Sequence, residues 1–161
     1  MDRVTEIKAA FAAAVAVLTA LWGWFGWVVL LFVACMVTDY ATGTMAAMYT
    51  GSWSSKAARK GILHKLGCIV VVAVAGAADL LLGMMLAHLP GIVLPFDYTV
   101  LICPVVVVWY ILTELGSIIE NAVTLGAPCP KWLAGVVDAA KDAVEETGGK
   151  ILPQSEEDEE A

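Results

Sequence analysis

Residues 111–130 read ILTELGSIIENAVTLGAPCP and follow directly on LICPVVVVWY, residues 101–110. Two glutamates and an asparagine therefore close a segment whose first half carries no charge. Wound at about 100° per residue, Thr113, Glu114, Ser117, Glu120, Asn121 and Thr124 share roughly one third of the circumference. Ile111, Leu112, Leu115, Ile118, Ile119, Ala122 and Val123 take the other side. Such a helix is apolar all round in one half and two-faced in the other. The greasy arc suits lipid, and the polar arc needs other helices or water.

The rest of the chain agrees with a membrane setting. It has 161 residues, 60% of them apolar, and a mean hydropathy of +0.82, far beyond an ordinary soluble domain. The formal charge of −7 is mostly a local matter. Five of the sixteen acids lie in SEEDEE (residues 155–160), which leaves −2 on the remainder. That tail cannot pack a core and reads as disordered. No basic concentration that would serve nucleic acid is left.

Four apolar segments follow one another: Ala9–Leu21, Trp27–Tyr49, Leu66–Leu89 and Tyr98–Leu125. A membrane helix needs about 20 mostly apolar residues, so the last three qualify and the alanine-rich first is short. The fold class is thus all-α, a polytopic bundle of three to four transmembrane helices. GWFG (residues 23–26) reads as the turn before the second segment. Asp79 sits inside the third, where an acid costs about 3 kcal/mol while each Leu, Ile, Val or Phe contributes about 0.3–0.6. About a dozen such neighbours outweigh it by that scale. Asp79 must then face protein or water.

Lys56, Arg59, Lys60 and Lys65 cluster in residues 51–67, whereas WGWFGW and HLPGIVLPFD carry neither Lys nor Arg. The positive-inside rule places the basic loop in the cytoplasm, together with the C-terminal region and, by Arg3 and Lys8, the N-terminus. Trp22, Trp24, Trp27, Phe96 and Tyr98 would gather at the outer interface, and Tyr49, Trp53 and Trp132 at the inner one. Residues 129–148 predict a short cytoplasmic amphipathic helix with Pro130 in its first turn and Gly148 at its end. Its apolar stripe, Leu133, Val136, Val137, Ala140 and Val144, fits either the membrane surface or a neighbouring helix. The chain thus divides into a transmembrane domain (1–128), that helix (129–148) and the disordered acidic tail (149–161).

Small residues mark further helix faces. Gly43, Ala47 and Gly51 keep a four-residue spacing beside Asp39. Ala73, Gly76, Leu80, Gly83 and Ala87 keep a seven-residue rhythm in the third segment. The acids near the cytoplasmic ends have Arg59, Lys60 and Lys65 as candidate partners. Cys35, Cys68, Cys103 and Cys129 lie far apart and suit small hydrophobes better than a metal or disulfide framework. His64 and His88 likewise join no ligand pair. No phosphate loop, nucleophile elbow or other catalytic grouping is present, so neither enzyme activity nor a cofactor is expected.

In order, the polar residues spell DYATG (39–43), GSWSSKAARKGILHK (51–65), ADLLLG (78–83) and ELGSIIENAVTLGAPCPKWL (114–133). This pattern resembles the toxin-secretion/phage-lysis holin family, over roughly residues 27–137. The resemblance singles out Asp39, Gly43, Ser55, Gly61, Lys65, Asp79, Glu114, Ser117, Glu120, Asn121 and Pro130. It implies a homo-oligomer in the bacterial inner membrane that opens timed lesions. Its partners would be the lipid bilayer, further copies of itself and, functionally, an endolysin or an exported toxin. A small channel or transporter subunit, or a membrane adaptor acting through its C-terminal region, are the competing expectations.

Overall fold

The computed structural model describes residues 3–9, 12–13, 23–88 and 101–151. Four long helices carry the architecture: α1 (Phe25–Tyr49), α2 (Ser55–His88), α3 (Ile102–Thr124) and α4 (Lys131–Ile151). Residues 3–9 are also helical, and no strand occurs among the described residues. The first three long helices are each long and apolar enough to cross a membrane. Most of the short first segment, residues 89–100 and the acidic stretch from 152 onward lie outside the described residues, as do Trp22, Phe96 and Tyr98.

The helix ends follow from glycine and backbone geometry. Gly23 turns with φ +56° just before α1. At the other end of α1, Gly51 adopts φ +70°, and the Ser52 N–H donates back to the Ala47 carbonyl at 2.9 Å. Gly126 repeats the device after α3, with φ +92° and Ala127 N–H donating to the Ala122 carbonyl at 3.0 Å. Both helices thus close on a left-handed glycine that satisfies their last carbonyls. Gly51 is therefore a helix stop, not the third member of the small face expected at Gly43 and Ala47. Ser54 starts α2, its Oγ accepting the Ala57 N–H at 3.2 Å.

α1 and α3 share the largest interface, while α2 leans on α3 and barely touches α1. Phe25, Phe32, Cys35 and Met36 of α1 meet Cys68 and Ala75 of α2 and Cys103, Val107 and Ile111 of α3. The three cysteines among them are free thiols packed as small apolar groups. Outward, leucines, valines and methionines dominate α1 and α2, as a lipid-facing surface requires, whereas α3, enclosed by the other helices, exposes Val123 near its end. Trp24 and Trp27 stand exposed at one end of the bundle, and Tyr49, Trp53 and Trp132 at the other.

Two expectations from sequence need correcting. The packing face of α2 keeps a seven-residue rhythm, but its phase is Lys65, Val72 and Asp79, with Cys68 and Ala75 beside it. Ala73 and Leu80 instead point outward, while Gly76 of the expected set does face α3, a Cβ on it lying 3.8 Å from Cys103 Sγ. Secondly, α4 does not stop at Gly148 but runs on to Ile151. Gly148 is there for close approach: a Cβ on it would lie 3.6 Å from Val105 Cγ1 of α3. Of the two settings left open for this helix, packing against the bundle is the one adopted.

Candidate functional site

The polar arc of α3 contains two kinds of residue. Thr113 Oγ1 donates to the Trp109 carbonyl at 3.0 Å, Ser117 Oγ to the Thr113 carbonyl at 3.3 Å, and Thr124 Oγ1 to the Glu120 carbonyl at 2.9 Å. These hydroxyls satisfy themselves on the preceding turn of their own helix. Glu114 and Asn121 reach out instead. They stand seven residues apart, about two turns, and so share one face.

Glu114 is 5% exposed and accepts a hydrogen bond from Lys65 of α2. The Lys65 ammonium also lies 2.9 Å from Oδ2 of Asp39 on α1. Asn121 Nδ2 donates to the other oxygen of Asp39, Oδ1, at 2.9 Å, and approaches Thr42 Oγ1 at 3.2 Å. One lysine therefore joins two carboxylates, and the three charges come from three membrane-length helices. Of the three basic residues considered from sequence, Lys65 is the one that reaches the acids. Lys65 lies ten residues into α2, deep enough to meet them. An ion pair removed from water needs such close geometry to offset its lost hydration. Within a bilayer such a network would act as a polar clasp between the three helices.

Two glycines make room for it. A Cβ on Gly43 would lie 3.4 Å from Asn121 Nδ2, and one on Gly61 would lie 3.7 Å from the Tyr40 ring. Gly43→Ala should thus be tolerated, with a loss of less than about 1 kcal/mol. Gly43→Leu should push Asn121 off Asp39 and cost about 1–3 kcal/mol through overpacking. Thermal unfolding of the two variants in detergent measures the contrast. An opening of about 250 Å³ adjoins the network, lined in part by Asp39, Gly43, Trp53, His64 and Lys65. It gives water a route to the ion pair from the α1–α2 turn.

Asp79 is placed differently. Only 1% exposed, it caps the start of α3: Leu101 and Ile102 N–H donate to Oδ1 at 3.0 and 2.9 Å, and Cys103 N–H to Oδ2 at 2.7 Å. The first amides of a helix have no carbonyl partner within it, and its positive end favours an anion. The acid that hydropathy flagged as costly thus satisfies three amides that lipid could not.

The remaining singled-out residues lie apart from this network. Ser55 opens α2, and its carbonyl accepts from Arg59 Nε at 3.3 Å; the side chain that caps the helix is the neighbouring Ser54. Glu120 is exposed on α3, and Pro130 is exposed just before α4, its carbonyl accepting the Leu133 N–H at 3.0 Å. By helical spacing Thr42 shares a side with Asp39 and Gly43, and it meets Asn121 there. Tyr40 and Ser54 are contributors that the sequence pattern did not single out.

The structure thus brings Asp39, Gly43, Lys65, Glu114 and Asn121 together, with Asp79 as a second polar anchor about 21 Å further along α2. A family model described as the bacteriophage holin family matches residues 16–142. An uncharacterized protein of Halalkalibacterium halodurans is 35% identical over 117 residues, covering 71% of this chain and 80% of the relative. An uncharacterized protein of Listeria innocua is 31% identical over 122 residues, covering 76% and 77%. No solved structure matches.

Proposed function

This chain belongs to the bacteriophage holin family, and from that premise we propose that it oligomerises in the bacterial inner membrane and opens timed lesions there. Through them a cell-wall hydrolase, or a large toxin, would leave the cytoplasm. The observation that supports this best is the ion-pair network of Asp39, Lys65 and Glu114, held inside a bundle whose α1 and α2 present apolar outer surfaces. Such a chain is stable as a lipid-embedded unit while its polar groups face one another. The same groups can be turned toward water or toward other copies once enough chains have gathered. The basic start of α2, with Lys56, Arg59 and Lys60, would lie on the cytoplasmic side.

Expression in a bacterium with and without a cytoplasmic muralytic enzyme tests the proposal. Abrupt lysis that requires the enzyme is the expected result. Graded ion flux without lysis would point to a channel subunit, and harmless accumulation to an adaptor. In the same assay Glu120→Leu should shift the onset of lysis while leaving the amount of protein unchanged. Unaltered timing at equal abundance would remove the exposed acid from the mechanism.

A further inference from the structure

α4 lies along α3 in reverse order. Val137 meets Gly116, the Trp109 indole donates to Glu145 at 3.4 Å, and Gly148 meets Val105. Lys141 sits between, its ammonium 4.6 Å from the centre of the Trp109 ring. The 21 residues of α4 span about 31 Å, close to the roughly 30 Å hydrocarbon core. Where α3 crosses the membrane, α4 therefore stands beside it at the same depth. The register sets Asp142 level with Ile111 and Glu146 level with Val107, amid the most apolar part of α3. Yet the face of α4 turned away from α3 exposes Asp138, Asp142 and Glu146, the last paired with Lys150 at 2.5 Å.

Fatty chains cannot solvate that face. We propose that α4 is a membrane-depth helix whose charged face borders the water enclosed when copies of this chain assemble. The inference rests on the holin reading and supplies the wall of its lesion. Two features favour a hairpin that stays closed over a helix that leaves. The glycines at 116 and 148 each admit a valine of the opposite helix, and the Trp109 indole is engaged by both Glu145 and Lys141. The face holds more acid than base, so two copies meeting through it would repel; solvent, not a second α4, is its fitting neighbour. The far end of α4 then lies across the membrane from Lys131, opposite to the cytoplasmic C-terminus expected from charge.

The test uses the full chain, with Cys129→Ser, in phosphatidylethanolamine–phosphatidylglycerol vesicles holding a fluorescent dextran. V105C and G148C together place two thiols where α3 and α4 touch, and an oxidant should lock them. A clickable alkyne side chain at position 142, or at Leu81 on the outward side of α2 as control, reports contact with water through a membrane-impermeant azide. The locked protein is expected to release dextran as fully as the reduced one and to label at 142 but not at 81. Failure of the pair to cross-link would overturn the inference. So would release that stops on locking and returns with reductant, or a locked, releasing protein that does not label at 142. Absence of release from the unlocked parent would instead count against the proposed function itself.

Discussion

Lys65→Met is expected to destabilise the folded bundle by about 3–5 kcal/mol, the usual cost of removing one partner of a buried ion pair. The variant would leave Asp39 and Glu114 facing each other with no cation between them. Their side chains are 18% and 7% exposed, so water admitted through the adjoining opening would replace the lysine only in part. Thermal unfolding in detergent should shift down by on the order of 10 °C. The triple variant Asp39→Asn, Lys65→Met, Glu114→Gln should recover most of the loss, because neutral groups have no charge to strand. A single variant as stable as the parent would mean that the network contributes nothing to the fold.

The second large effect belongs to Asp79. Asp79→Ala should cost about 3 kcal/mol by stripping the acceptors from three buried amides at the positive end of α3. Hydrogen exchange offers a local readout: the amides of Leu101, Ile102 and Cys103 should exchange at least about tenfold faster, relative to those near Ile118. Asp79→Asn should fall between the two. Its carbonyl oxygen can still serve Leu101 and Ile102, but its amide nitrogen would confront the Cys103 N–H donor to donor. Equal exchange in the alanine variant and the parent would show that the cap is dispensable.

The three long spans were legible because lipid imposes a length and a composition that few other settings demand. The amphipathic character of α4 was equally plain, since its stripe recurs at helical spacing. Within the polar arc of α3, periodicity gave direction but not partner. It placed Thr113, Ser117 and Glu114 on one side, yet a hydroxyl bonded to its own backbone and a carboxylate reaching another helix look alike in a helical projection. The role of Asp79 was hidden for a related reason. Its partners are main-chain amides, which carry no residue signature, so only the demand for a non-lipid neighbour could be read. Gly148 was misread because glycine both ends helices and lets them touch, and only the position of Val105 separates the two. The small-residue rhythm of α2 held at Gly76, which faces Cys103, and misled at Ala73 and Leu80 for want of knowing that Lys65 and Asp79 had partners on α3.

α2 has 34 residues against 25 in α1 and 23 in α3. Asp79 is level with the first turn of α3, so the nine residues Leu80–His88 continue about 14 Å beyond it. They are mostly apolar, and Leu80, Leu81, Met84 and Met85 are exposed. A bilayer whose outer face lay level with the first turn of α3 would be too thin for an upright α2. The helix must lean or the surrounding acyl chains must stretch, at a fraction of a kcal/mol for each Å of misfit. If copies gather as proposed, two lying side by side would share that distorted ring of lipid, and its tension would draw them together before any side chain met. Clustering should accordingly weaken in membranes of longer acyl chains, where the misfit disappears.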